Sequence, residues 1–444
     1  TSLYVNNSIK LLVDANSRIS LSNNDSGADN TVFGFLAGAS LGSGHDRNVL
    51  IGDYAGTNVA ADSNVLIGRA CGDAITSGAS NVAIGDSALG TADTALQNIV
   101  IGGDAMSAVP ASQAVSSCIA IGVNAAKGSA STTTGIDGTI AVGFAALTAL
   151  TTGAGNIGIG FEAGENLTTS AHNLAIGYQA LENATTAANQ NIAIGNFSMD
   201  GAWSTADVDN CVAIGYQAMR GVLTNTASST VAIGALALNA LTSGTGNTAI
   251  GHQSLDATDD GDRNTAVGSG TLSANCVDDN VAIGYNTLLT CTGSDNTVVG
   301  SLAADALVAG SGNSVMGAYA FTSASAGETS NVVIGEGAMI SANEGTGSGN
   351  AIDENVVIGA SAVSGGNFGS TGSRVLSKNV VIGGSAMQST GTNSQTGTIA
   401  IGHSALLALT SGAENTVIGY QAADSLLTGC LLYTSPSPRD RQKS

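Results

Sequence analysis

The sequence predicts an all-β chain, a parallel β-solenoid of about 22 short coils. Three observations predict it. A nine-residue phrase, NLAIGYQAL at Asn173–Leu181, returns as CVAIGYQAM at Cys211–Met219 and as NTVIGYQAA at Asn415–Ala423. The residues before its glycine form a short, apolar, β-branched run, which is strand chemistry. The composition suits thin stacked layers rather than a bulky core: 61 Gly, three Pro, 4 % aromatic, 10 % charged and 43 % hydrophobic residues. Gly, Asn, Thr and β-branched residues recur too densely for helices. Disorder goes with lower hydrophobicity and higher charge density than this.

Residues 1–29 lack the phrase but alternate around Ile19 and Leu21. They are expected to cap the first coil or to end a preceding domain, since solenoids need capped ends. The chain begins at Thr1 rather than Met and reads as a fragment.

Residues 30–427 carry the repeat. Aligned on the glycine of the phrase, 22 copies run from Gly34 to Gly419, spaced 16 to 24 residues apart with 17 the commonest interval. Positions are counted from that glycine. Position −1 is always apolar and nearly always Ile, −2 is usually Ala or Val, −4 is Asn in 17 of 22 copies, and +3 is usually Ala. Representative rungs are Asn173, Ile176 and Gly177; Asn191, Ile194 and Gly195; Asn247, Ile250 and Gly251; and Asn415, Ile418 and Gly419. The triplet before glycine is expected to be a strand without polar alternation, buried on both sides. The glycine permits a turn or a close backbone approach that a Cβ would obstruct. The Ala at +3 suits a second short strand. The Asn is expected at a corner, either in left-handed geometry or in a ladder of identical stacked amides. Strands about 4.8 Å apart make 22 such coils a rod on the order of 100 Å long.

Length variation is confined to the stretch between the second strand and the next Asn. The longest inserts are Ile340–Glu354 and Ser364–Lys378, which project from one edge. Residues 428–444 differ in composition: CLLYTSPSPRDRQKS from Cys430 holds Pro436, Pro438, Arg439, Arg441 and Lys443, and resembles translated sequencing-adapter read-through from a metagenomic reading frame. It is set aside as non-native or disordered.

A net charge of −21 excludes nucleic acid and anionic membranes as partners, because phosphate binding needs clustered Lys and Arg. No run of eighteen apolar residues is present, so this segment is expected to make no membrane contact. The six cysteines, Cys71, Cys118, Cys211, Cys276, Cys291 and Cys430, form no C-x-x-C pair and have no neighbouring His cluster. A coil of this size hides one face of each strand. The other face then leaves an apolar stripe larger than a soluble monomer exposes, and chains are expected to associate along it.

The phrase N-[T/V]-A-I-G-x-x-A resembles the head repeat of YadA-like trimeric autotransporter adhesins, and similar repeats occur in phage tail fibres. The resemblance covers about Asn30 to Leu427. It implies a left-handed parallel β-roll, three rolls side by side as a homotrimer, and surface attachment.

Chemistry is sparse. His252 and His403 share position +1 with Tyr178, Tyr216, Tyr285 and Tyr420, a tolerant, outward-facing column, and no Ser-His-Asp set can be built from the four histidines. Hexapeptide acyltransferases need an apolar residue every six residues, whereas one triplet recurs per coil here. The acidic stretches Thr258–Asn264 and Val277–Asn280 match no calcium-loop pattern and read as solvated turns. No regular Thr array suits ice binding. The four tyrosines are candidate ligand contacts that could stack on sugar rings, and the two inserts could touch a receptor. The chain is therefore expected to be a non-enzymatic, extracellular adhesin or fibre head or shaft on a bacterial surface or virion. It would take no cofactor or metal, and a host-surface protein or glycan as partner. A phage tail-fibre segment is the first alternative. A polysaccharide-acting solenoid enzyme is the second, and would need clustered carboxylates.

Overall fold

The computed structural model describes residues 2–5, 8–13, 19–21, 29–110, 114–129, 133, 135–185, 188–202, 208–223, 227–324, 326–343, 351–364, 375–391 and 393–434. The protein is an all-β parallel β-solenoid, with no helix among the described residues. It comprises two compact units, Thr1–Ile214 and Gly215–Ser444.

In the first unit, Ser2–Val5, Ser8–Val13 and Ile19–Leu21 form a three-stranded antiparallel sheet. Eleven three-residue strands follow, from Thr31–Phe33 to Val212–Ile214, one before each repeat glycine. Neighbours pair in parallel with like opposite like, as Leu174, Ala175 and Ile176 face Ile192, Ala193 and Ile194. The second unit holds another eleven, from Val231–Ile233 to Thr416–Ile418. It extends past residue 427, because Tyr433–Thr434 pairs with Thr416–Ile418. Its last coils also carry a second parallel ladder, made of Ala351–Asp353, Val375–Ser377, Gln395–Thr396 and Gly412–Ala413. The first two of these strands fall in the late part of the two long inserts. The tips of those inserts, 344–350 and 365–374, and the tail from 435 onward lie outside the described residues.

Burial on both faces of the strand does not hold within the chain. The repeat strands bury only their middle residue, as in Ala175, Ala193 and Ala249, and leave the flanking residues half-buried or exposed. A pleated triplet sends −2 to one face and both −1 and −3 to the other, and a coil this narrow has one interior.

The expected second strand at +3 is also absent. Positions +1 to +4 form stacked turns, because +2 and +4 take left-handed backbone angles, as in Gln179 at φ 51° and Leu181 at φ 56°. The bonds between coils then alternate in direction. Gln179 N–H donates to the Phe161 carbonyl of the preceding coil, and Leu181 N–H to the Ser198 carbonyl of the following one. Left-handed Leu is unusual; burial of the +4 side chain and satisfaction of its amide stabilise it.

The interior is filled from four columns: −2, +3, +4 and +7. Large fully buried side chains such as Leu181, Met199, Leu147, Leu150 and Leu167 stand at +4 and +7, opposite small residues at −2. Where Leu50 and Leu66 occupy −2, glycine takes +4: a Cβ on Gly56 would stand 2.9 Å from Leu50 Cδ2 and 3.0 Å from Leu66 Cδ1. In these coils the large side chain moves from +4 to −2, and the interior stays filled.

Candidate functional site

The Asn column is the main polar feature inside the solenoid. Asn173, Asn191, Asn247 and Asn415 are buried. Of the two expected roles, the ladder is the one observed; the left-handed angle falls instead on the residue before, as in His172 and Gln190. Asn173 Nδ2 donates to Asn156 Oδ1 at 3.1 Å and to the Ala188 carbonyl at 2.6 Å, while its Oδ1 accepts Asn191 N–H at 3.0 Å. In the second unit the ladder runs through Asn247, Asn264, Asn280, Asn296, Asn313, Asn331, Asn355 and Asn379. A buried amide with every hydrogen-bonding group partnered is the arrangement that a low-dielectric interior favours. Cys118 replaces one Asn and imitates half of it, its Sγ donating to the Ile136 carbonyl at 3.2 Å.

The outward strand face carries a repeated apolar surface. Ile250 is 38 % exposed and Ile418 42 %, Ile176 and Ile194 are half-buried, and Ile51, Ile84, Ile121, Ile159, Ile283 and Ile334 are similarly open. A shallow apolar dimple lined by Thr297, Val299, Ser314, Met316 and Ile334 lies where Ser314 replaces a branched residue.

The four candidate tyrosines are all exposed, but the fold does not gather them. Tyr178 belongs to the first unit. In the second, Tyr216 and Tyr285 stand four coils apart, about 19 Å, and Tyr420 a further seven coils, about 34 Å, along the column. Tyr178 lies in a ring ladder with Phe144 and Phe161, at centroid distances of 5.1 and 5.2 Å and interplanar angles of 14° and 5°, and Phe197 meets its other side edge-on at 5.2 Å. A sugar stacking on Tyr178 would have to displace a ring already there. Tyr420 stacks on His403 at 5.6 Å. Tyr285 has Ser269 and Ser301 as its column neighbours.

Two acidic features escape a reading of the sequence centred on the glycine phrase. The first is a column at −6, where Asp or Asn accepts a backbone N–H from the preceding coil: Asp62 from Asp46, Asp137 from Ser116, Asp262 from Thr245, Asp278 from Asp262 and Asp353 from Thr329, at 2.6 to 2.9 Å. Of the acidic stretches weighed as calcium loops, Asp262 and Asp278 fall in this column. Asp262 and Asp278 receive amides, and Arg263 forks onto Asp279 at 2.7 and 2.8 Å, holding that carboxyl below its usual range. A recurring acid or amide six residues before glycine was the available signal.

The second is a cluster. Glu162, Glu165 and Glu182 bring one carboxylate oxygen each within 4.8 Å of the others, although they come from two coils. Gln179 Nε2 donates to Glu162 at 2.8 Å. Burial, then the charges of Asp200, Glu162 and Glu165, push Glu182 up to about 7. Burial and Glu162 raise Glu165. The group can share a proton near neutrality, and its oxygens are of the kind a hard cation takes.

Burial pushes the Cys71 thiol up to about 12 and those of Cys118 and Cys291 to about 11, so these are packing residues rather than nucleophiles. Comparison with protein-family models, with curated proteins and with solved structures finds no match.

Proposed function

We propose that this chain is a non-enzymatic structural segment of an extracellular attachment fibre, the head or shaft of a bacterial surface or virion adhesin, assembled as a side-by-side homotrimer. The observation that carries the reading is the uncovered apolar column at −1 and −3. An Ile already about 60 % buried gains roughly 1 kcal/mol when the rest is covered. Eleven repeat strands per unit therefore offer on the order of 10 kcal/mol of gross driving force from −1 alone, comparable to the cost of association of about 4–15 kcal/mol. Two units along one chain exceed it. The resemblance of the phrase to YadA-like head repeats supports three chains and a role in attachment to a host protein or glycan.

Sedimentation equilibrium tests the assembly. The expected mass is three times the 43.2 kDa chain, reduced to one chain by Ile250→Asp with Ile283→Asp. A monomeric parent, or a trimer indifferent to both substitutions, rejects it. Attachment is tested separately, by probing glycan and matrix-protein arrays with the assembled protein; a blank on both rejects the adhesive role and leaves the assembly standing.

A further inference from the structure

We propose that the coil between Gly383 and Gly402 encloses a binding site for one water molecule, held by Thr390 Oγ1, Gln395 Oε1 and Thr398 Oγ1. All three side chains are at most 1 % exposed, and none of these oxygens has a hydrogen-bond partner among the described residues. Buried oxygens are rarely left so, and an internal water is the usual remedy where several converge.

The bonds around them place the three residues side by side, which is the ground for proposing that they share one water. One amide, that of Asn379, accepts Thr398 N–H at Oδ1 and donates Nδ2 to the Gln395 carbonyl, each at 3.0 Å. Gln395 and Thr398 are therefore gripped by the same group. Gln395 Nε2 donates to the Leu409 carbonyl at 3.2 Å, and Leu409 occupies the +7 column one coil beyond Thr390, about 4.8 Å away. The Leu409 carbonyl also fixes the Gln395 amide: reversing it would oppose two acceptors, so Oε1 must face the other way.

The site coincides with an interruption of the Asn ladder. At the Asn rungs Oδ1 accepts the N–H of the next, as Asn379 does from Thr398. Thr398 has only a short hydroxyl, which does not reach Asn415 N–H. A water in this place accepts that N–H, donates to Gln395 Oε1 and exchanges bonds with the two hydroxyls. The ladder is thereby continued across a residue too small to span it. A cation fits less well: three neutral side-chain oxygens suffice for a water's two to four bonds, but fall short of the six or more that calcium takes.

A high-resolution crystal structure of the intact chain and water–amide NOE spectra test the proposal. The expected result is one density peak within hydrogen-bond distance of all three oxygens and a long-lived water contact at the Asn415 amide. Thr398→Asn restores the rung, so it should abolish both and raise Tm. Thr390→Val, nearly isosteric and outside the ladder, should displace or weaken the peak without unfolding the coil. Direct pairing of the three oxygens with no peak overturns the proposal, as does a peak coordinated by six oxygens at cation distances. A water contact unchanged in both variants overturns it too.

Discussion

Replacing Gly177 by alanine should unseat one coil from the next. Gly177 has φ +136°, and a Cβ there would stand 2.6 Å from the Gly195 carbonyl oxygen and 2.7 Å from its carbon. Both are backbone atoms, tied down by the Gly195 N–H bond to the Ile176 carbonyl at 2.8 Å. Relief requires the coils to part by roughly half an ångström, since a Cβ contact under 3.0 Å forces a shift, and this stretches that bond toward its useful limit. The strained backbone costs about 1–3 kcal/mol, and one or two weakened hydrogen bonds add about 0.5–1.5 kcal/mol each. The expected loss is therefore about 2–5 kcal/mol. Gly103 is the control, because it lies in the same unit, keeps an ordinary φ, and has nothing within 4 Å of the same position; Gly103→Ala should be neutral or slightly stabilising. A solenoid opens locally, so the measurement is native-state hydrogen exchange over Leu174–Ile194, supported by thermal melts. If Gly177→Ala falls within about 0.5 kcal/mol of Gly103→Ala, coil spacing does not depend on this glycine column.

Asn173→Ala removes the donor to the Ala188 carbonyl and the acceptor for Asn191 N–H, leaving two buried groups unpaired at about 1–3 kcal/mol each. Exchange protection across coils 156–191 should fall accordingly, and Asn173→Asp, which lacks the donor and buries a charge, should fall further. The Glu182 carboxyl titrates at about 7 in the folded chain against 4.5 when unperturbed. The folded state therefore holds more protons between these values, and stability should fall as pH rises from about 4.5 to 7 and level off above. Glu182 is partly exposed, so screening reduces the effect to about 1 kcal/mol; melts at pH 5 and pH 8 should show it and Glu182→Gln should flatten it. Of the six cysteines only Cys430 is exposed, so native protein should react with a thiol reagent at one site per chain and unfolded protein at six.

Much of this was legible in the sequence because a solenoid repeats its environment: any position that must satisfy the same neighbours in every coil shows as a column. Asn173 and its equivalents had to be alike because each supplies half of the next one's bonds. The glycine column had to be bare because each coil sits on the carbonyl of its neighbour. The stacked turns were harder to read, since Gln179 and Leu181 are not residues that announce a left-handed angle, and the spacing of Ala180 suits a strand equally well. The columns at +4 and +7 were obscured because their volumes trade against −2, so that Leu66 with Gly72 and Ala175 with Leu181 solve one packing problem in different ways.

By itself, then, the sequence determined the period, the strand, the ladder residue and the class of fold, since each depends on identical neighbours meeting at short range. Only the tertiary structure decided which strand face is inside and which turn residues adopt left-handed angles. It alone brought Glu162, Glu165 and Glu182 together and left the side-chain oxygens of Thr390, Gln395 and Thr398 without partners among the described residues. Those outcomes depend on the connector lengths and side-chain volumes of adjacent coils, which differ from rung to rung and leave no shared mark in the repeat.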